Sequence, residues 1–95
     1  MFSQVWRQEL ELEIINVKGL HARASAKFVE VVEQFEATAE VSKDGLSASG
    51  DSIMGLLMLA ASKGTTIEVR TSGPEADKLS SALKDLVENC FGEGG

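Results

Sequence analysis

A histidine and an arginine two residues apart lie in a short basic stretch of an acidic chain. His21 is the only histidine, and Arg23 follows it where an irregular segment gives way to a helical pattern. Between Lys18 and Val29 the chain has three basic residues and no acidic one, whereas its formal net charge is −6. A locally positive spot of this kind is suited to holding an anion.

The position of His21 before a predicted helix favours chemistry on phosphorus. A helix N-terminus carries partial positive charge, which disfavours imidazolium, so we expect a neutral ring with one free nitrogen. Neutral imidazole is a competent nucleophile toward phosphorus, and the product anion would face unpaired backbone N–H groups. Arg23 suits phosphoryl oxygens, Gly19 permits a tight turn, and Lys18 and Lys27 add attraction. The same residues also fit a polar helix start with a solvated basic face. Position and charge alone do not distinguish this interpretation from phosphoryl chemistry.

The composition is that of one small globular domain. Of 95 residues, 43% are hydrophobic and 25% are charged, which is ordinary for a folded protein. The longest apolar stretch, residues 53–61, is too short to span a bilayer. Residues 1–6 have neither a basic start nor a long apolar run, so they do not form a signal peptide. We therefore expect a cytoplasmic protein without membrane insertion.

Several kinds of chemistry are disfavoured by the residues present. Cys90 is the only cysteine, which excludes an internal disulfide and a two-cysteine redox site. No carboxylates cluster with it and His21 at a spacing that suits zinc, so we expect no metal. The acidic net charge argues against nucleic-acid binding. No base or nucleotide-binding glycine loop accompanies His21, which disfavours an autonomous enzyme, and we expect no cofactor.

The first half of the chain predicts a strand, a helix and a hairpin. Residues 9–14 alternate strictly and predict a strand, and residues 16–19 a loop. Residues 22–36 have a helical period, with an apolar stripe flanked by Phe28 that comprises Ala22, Ala26, Val29, Val32 and Phe35. Residues 38–43 and 46–48 predict two strands around Asp44-Gly45, a strong signal for a tight hairpin.

The second half predicts two more helices and one strand. Cap residues 49–52 precede an apolar helix at 53–62, which Lys63-Gly64 is expected to end. Residues 66–70 predict a strand. Pro74 suits the first position of a last helix that ends near Gly92, with a core stripe of Ala76, Leu79, Leu83, Leu86 and Cys90. The order β-α-β-β-α-β-α predicts an α+β fold, an open-faced β-sandwich whose four-stranded antiparallel sheet is covered on one face by three helices.

Two motifs resemble the signatures of one family. Lys18-Gly19-Leu20-His21-Ala22-Arg23 resembles the active-site signature of HPr, the histidine phosphocarrier of the bacterial sugar phosphotransferase system. Ser52-Ile53-Met54-Gly55 resembles the second signature of that family, around its regulatory serine. The resemblance covers roughly residues 10–91. It implies one HPr-like domain over residues 1–95, with residues 1–8 as an N-terminal extension and residues 92–95 as a frayed tail.

The resemblance also implies a function and partners. Enzyme I, charged from phosphoenolpyruvate, would phosphorylate His21 at Nδ1, and an EIIA-type protein would accept the group. Arg23 matches the phosphate-stabilising arginine of the family. The chain would be a stoichiometric carrier rather than an autonomous enzyme, and we expect a monomer. Ser52 matches the serine modified by HPr kinase/phosphorylase in many relatives, although a serine before a helix is also an ordinary N-cap, a role for which Asp51 competes.

The implied partner surface surrounds the histidine and the second helix. It comprises Lys18, Gly19, Leu20, Ala24, Lys27, Ile53, Met54 and Leu57. Methionines suit a surface that accepts several partners, and burial of the apolar helix residues in the core is the alternative. Ala24 departs from the family, which usually has proline there. Since alanine is an excellent helix former, we expect the geometry to survive with less preorganisation.

Two other functions fit the sequence. The nitrogen-type paralogue shares the histidine but serves a regulatory phosphorelay, and residues 56–64 look somewhat more like that branch, whereas the Ser52 motif favours the sugar branch. The other is a small α+β binding module without covalent chemistry, which predicts that His21 is replaceable.

Overall fold

The computed structural model of the protein describes residues 6–93. Their elements follow the predicted order β-α-β-β-α-β-α, with a short 3₁₀ turn added at the end. The bounds are Gln8–Glu13 (β1), Ala22–Glu33 (α1), Thr38–Lys43 (β2), Leu46–Ser49 (β3), Ile53–Met58 (α2), Thr66–Ser72 (β4), Ala76–Glu88 (α3) and Cys90–Gly92 (the 3₁₀ turn).

The strands form one antiparallel sheet in the order β1-β4-β2-β3. Leu12 lies opposite Ile67, and Val41 lies opposite Val69, so these side chains share one buried face. The alternating residues, including the glutamates of β1, face solvent. The helices pack on the apolar face, which confirms the predicted open-faced sandwich. Asp44 and Gly45 have φ of 50° and 84°, the positive values that the predicted two-residue hairpin turn requires.

The buried face of α1 differs from the predicted stripe. The core contains Ala24, Phe28 and Val32, whereas Ala22 is exposed and Ala26 is only half-buried. The aromatic ring of Phe28 removes far more apolar surface from water than the alanines do, so it sets the rotation of the helix. The predicted stripe is therefore right for Val29 and Val32, which are buried, and wrong for Ala22 and Ala26.

The second helix is shorter than predicted. It ends at Met58 instead of Ser62, and the expected stop at Lys63-Gly64 is wrong, because these residues form a later turn. Ala60 has a φ of 52°, which reverses the chain and buries both of its neighbours, Leu59 and Ala61. Burial of these two side chains overrides the local helical preference.

The chain ends also differ from prediction. Pro74 lies in a turn, and α3 begins only at Ala76. Cys90 is partly exposed with a φ of 54°, and Phe91 is the buried residue. The chain leaves the helical path after Glu88, so the stripe that predicted a buried Cys90 does not continue.

At the other end, the predicted extension of residues 1–8 partly belongs to the sheet. Gln8 opens β1 opposite Thr71, and the Arg7 N–H donates to the Thr71 carbonyl at 2.7 Å. Residues 1–5 and 94–95 lie outside the described residues.

The start of α2 yields a stability prediction. Ser52 is its N-cap, and its Oγ accepts a hydrogen bond from the Gly55 N–H at 2.9 Å. Replacing a capping serine with alanine leaves that N–H without its partner, so Ser52→Ala is expected to lower the free energy of unfolding by about 1 kcal/mol. Urea unfolding measures the change. Asp51→Ala is the matched comparison and is expected to cost less. A larger loss for Asp51→Ala would mean that Asp51 caps the helix in solution.

Candidate functional site

His21 is the N-cap of α1. Its backbone is extended, with φ −79° and ψ −176°, and its carbonyl accepts the Ser25 N–H at 2.8 Å. Its side chain makes no capping hydrogen bond, so the ring is available for other contacts. The first N–H groups of a helix have no intrahelical acceptor and carry partial positive charge. The structure therefore places the ring where the sequence predicted it, beside a helix end that attracts anions.

A tight loop fixes the backbone that leads to His21. Gly19 has a φ of 66°, and its N–H donates to the Asn16 carbonyl at 3.2 Å. The Leu20 N–H donates to the Ala61 carbonyl at 2.8 Å. A Cβ on Gly19 would lie 2.5 Å from that same oxygen. Glycine is thus required here both by the left-handed backbone and by the close approach of the segment after α2.

A glutamate from the C-terminal end of the chain meets the histidine. Glu93 Oε2 contacts His21 Nε2, and Glu93 Oε1 accepts a hydrogen bond from Asn16 Nδ2 at 3.0 Å. The same Asn16 amide donates to the Gly19 carbonyl at 2.8 Å. The prediction of a frayed tail is therefore wrong for Gly92 and Glu93. Glu93 was missed because no local motif includes it, and the one available signal was the apolar Phe91 beyond the last helical stripe.

The segment that carries Glu93 is attached to α1. Phe91 is 1% exposed, and its carbonyl accepts a hydrogen bond from Lys27 Nζ at 2.7 Å. The Glu93 N–H donates to the Cys90 carbonyl at 2.9 Å. A buried aromatic anchor and a cation thus hold the chain end over the start of α1.

The electrostatics of the site favour an ionised Glu93. Partial burial raises the pKa of its carboxyl group, whose side chain is 14% exposed. The hydrogen bonds from His21 and Asn16 and the electrostatic attraction of His21 and Lys18 outweigh this effect and hold the pKa below its ordinary value of 4.5. At neutral pH the ionised carboxylate therefore accepts hydrogen bonds and donates none.

Basic side chains surround two neighbouring cavities. One, of about 360 Å³, is lined by Val17, Lys18, Arg23, Lys27, Gly92 and Glu93. The second, of about 230 Å³, is lined by Lys18, Leu20, His21, Ala60, Ala61 and Ser62. Lys18 borders both, so the histidine and the cations belong to one region. Lys18 lines the same cavity as His21, whereas Arg23 and Lys27 line the neighbouring one, and Lys27 already donates to the Phe91 carbonyl.

The predicted partner surface divides into exposed and buried parts. Met54 is 70% exposed, and Ile53 is also exposed, while Leu57 is half-buried. In contrast, Leu20 and Ala24 are buried. Their side chains pack in the core because they flank the loop and the helix start, so neither side chain is available to a partner.

One further residue of the predicted partner surface is buried, and two exposed residues were not predicted to belong to it. Gly19 is buried and is likewise unavailable to a partner. The exposed surface gains Val17 and Met58, at 66% and 75% exposure. Ser52 is half-buried and fills the capping role that was its structural alternative.

Two negative findings apply to residues 6–93. This part of the chain has no group of three His, Cys, Asp or Glu residues that could hold a metal ion. None of its helices has both the length and the apolar character needed to cross a membrane.

Comparison with known proteins gives consistent matches. The sequence matches the family described as PTS HPr component phosphorylation site over residues 8–89. It is 51% identical over 83 residues to the phosphocarrier protein HPr of Neisseria meningitidis serogroup B, covering 87% of this chain and 93% of the relative. It is 36% identical over 83 residues to the phosphocarrier protein NPr of Escherichia coli K12, covering 86% and 92%. The fold matches the crystal structure of HPr-C-His from Thermoanaerobacter tengcongensis with TM-score 0.86 and 37% identity, covering 90% and 97%.

The loop before His21 gives a prediction about Gly19. Alanine at position 19 would have a left-handed backbone and would clash with the Ala61 carbonyl. Gly19→Ala is therefore expected to lower the free energy of unfolding by about 1–3 kcal/mol. Gly64→Ala is the matched control, because its φ is also positive, at 92°, but no atom lies within 4 Å of the added Cβ. Denaturant unfolding of both variants separates backbone strain from the clash. Equal losses would show that the contact with Ala61 is unimportant.

The lowered pKa of Glu93 predicts a pH-dependent contribution to stability. A carboxyl group whose folded-state pKa is depressed stabilises the fold above its unfolded-state value, and this contribution is lost as pH falls through the folded-state pKa. The stability difference between the wild type and Glu93→Gln should therefore be present at neutral pH and shrink below pH 4.5. Urea unfolding across that range measures it. Glu88→Gln, at an exposed position on α3, is the control. A difference that persists in acid would contradict the assignment.

Proposed function

The chain belongs to the HPr family of phosphocarrier proteins, and from this premise we propose that its His21 accepts a phosphoryl group from enzyme I of the phosphotransferase system. The donor is itself charged from phosphoenolpyruvate, and the acceptor is an EIIA-type protein or domain. The observation that carries the proposal is the placement of His21 at the N-terminus of α1, beside cavities lined by cations. The cytoplasm, where phosphoenolpyruvate is made, is the expected compartment.

The surroundings of His21 suit both steps of a carrier. A ring nitrogen attacks phosphorus while the bond to the donor breaks, and the reverse chemistry releases the group to the acceptor. Backbone N–H groups at the helix start and the guanidinium of Arg23 attract the phosphoryl oxygens. Lys18 adds positive charge without a competing role in the core. The groups that would hold the phosphoryl group on this protein, His21, Arg23 and Lys18, all come from one chain, so we propose that the protein acts as a monomer.

The exposed apolar residues near His21 are the proposed docking surface for both partners. Met54 and Met58 of α2 and Val17 of the loop before α1 are the most exposed large hydrophobic side chains among residues 6–93. A donor and an acceptor must use the same surface in turn, because both must reach the same nitrogen. Flexible, polarisable methionines adapt to more than one partner.

Ser52 is a proposed regulatory phosphorylation site for an HPr kinase/phosphorylase. Its Oγ accepts the capping hydrogen bond, so the hydroxyl hydrogen is not used in that bond. A phosphoryl group there would lie at a helix start, where negative charge is tolerated. It would add negative charge directly before Ile53 and Met54 and so weaken binding of an acidic partner.

The sugar-type branch of the family is favoured over the nitrogen-type branch. The identity to the Neisseria HPr exceeds that to the Escherichia coli NPr by 15 percentage points, 51% against 36%. The nitrogen-type relay is the second candidate, since residues 56–64 resemble that branch. Transfer rates from both types of enzyme I, measured with this chain as acceptor, separate the two.

Incubation with enzyme I and labelled phosphoenolpyruvate tests the proposed function. The wild type is expected to take up acid-labile, base-stable label, and His21→Ala is expected to take up none. Because the chain has a single histidine, any phosphohistidine formed must be at His21. Ser25→Ala, on the same first turn of α1, is the comparison for disturbance of the helix start. Absence of label on the wild type, with an enzyme I shown to be active on its own carrier, would refute the proposal.

A further inference from the structure

The two carboxylate oxygens of Glu93 contact side chains of two residues that are distant from it in the sequence. Oε2 faces His21 Nε2, and Oε1 accepts from Asn16 Nδ2. Asn16 is fully buried, and its amide group also holds the Gly19 carbonyl. The loop, the histidine and the chain end therefore form one hydrogen-bonded cluster, in which Glu93 contributes the negative charge.

The orientation of Asn16 shows that this cluster is built around an acceptor at Glu93. Both hydrogen-bond partners of Asn16 Nδ2, the Gly19 carbonyl and Glu93 Oε1, are oxygens. If the amide oxygen and nitrogen were exchanged, the amide oxygen would face two other acceptors and both hydrogen bonds would be lost. With the orientation fixed, Asn16 Oδ1 is left buried without a hydrogen-bond partner among the described residues. A buried amide that forgoes one hydrogen bond is costly, and such groups in native proteins call for an explanation. The explanation here is that Asn16 holds Glu93 against His21.

The contact with Glu93 distinguishes the two ring nitrogens of His21. An ionised carboxylate only accepts hydrogen bonds, so Nε2 must carry the proton when the ring is neutral. Nδ1 then has the free lone pair, and Nε2 is both protonated and covered. The basic side chains around the cluster are Lys18, Arg23 and Lys27, and among residues 6–93 Glu93 is the only acidic one that lines these two cavities.

We propose that Glu93 is a positioning residue that directs phosphoryl transfer to His21 Nδ1. The proposal rests on the proposed function of His21 and adds a residue to it. When the Nδ1 lone pair forms the new N–P bond, the electron pair of the breaking bond leaves with the donor. The ring keeps its proton on Nε2 and becomes positively charged, and the carboxylate of Glu93 balances that charge. On transfer to the acceptor, the electrons of the N–P bond return to the ring.

Chemical phosphorylation with phosphoramidate tests this proposal without any partner protein. In that reaction the bond to nitrogen in phosphoramidate breaks, ammonia leaves, and phosphorus bonds to a ring nitrogen. Nuclear magnetic resonance distinguishes phosphohistidine at Nδ1 from phosphohistidine at Nε2. The wild type is expected to form the Nδ1 product. Glu93→Ala is expected to form Nε2 product as well and to react at Nδ1 about tenfold more slowly, since a charge-assisted hydrogen bond is lost.

A second measurement on the unphosphorylated protein guards against a merely structural effect. Resonances of the two ring nitrogens report which one carries the proton, and the wild type is expected to show a hydrogen-bonded Nε2–H that is lost in Glu93→Ala. Glu88→Ala removes an exposed glutamate from the same end of the chain and should change neither readout. An unchanged product ratio in a folded Glu93→Ala, or Nε2 product in the wild type, would overturn the proposal.

The outcomes separate this proposal from the function on which it rests. If enzyme I does not label the chain but phosphoramidate gives Nδ1 product that depends on Glu93, the carrier function fails and the positioning role stands. If enzyme I labels wild type and Glu93→Ala equally fast, with the same nitrogen modified in both, the carrier function stands and the positioning role fails.

Discussion

The hydrogen bond from the Leu20 N–H to the Ala61 carbonyl is the contact on which the site depends. It joins the loop before α1 to the segment after α2, two parts of the chain that are separated in sequence by α1, the β2–β3 hairpin and α2. Gly19 turns the backbone in the left-handed region so that Leu20 can make this contact, and the next residue is His21. The early end of α2 and the burial of Ala61 place the carbonyl of that residue at this contact.

Charge is distributed in a way that keeps the site positive on an acidic protein. The solvent face of the sheet carries Glu9, Glu40 and Glu68, which lie 3.7–3.9 Å from the guanidinium of Arg70. The helices cover the opposite face, and the start of α1 has the basic residues. Separation by a layer of core keeps these carboxylates away from the start of α1, so an anion at that helix start would be attracted locally.

Most of the fold follows from local patterns, whereas the long-range contacts of the site do not. The strand predicted at residues 38–43 is β2 at its observed bounds, and Asp44-Gly45 predicted the hairpin, because this turn signal depends on neighbouring residues. The end of α2 and the burial of Phe91 in place of Cys90 depend on tertiary packing, which no window of sequence contains. Glu93 is the extreme case, since it is 72 positions from His21 and meets it only after α3 has packed. The helix start at His21 was predictable because a motif marks it.

The alanine at position 24 shows how this chain manages without the proline usual in its family. Proline fixes φ and so prepares the first turn of a helix before folding. Here the first turn is fixed by packing instead, because Ala24 and Ser25 are fully buried and the Ser25 N–H binds the His21 carbonyl. Lys27 joins the next turn of α1 to the Phe91 carbonyl. The start of α1 is thus held by burial of its first turn and by this contact with the chain end, and the same chain end carries Glu93 to His21.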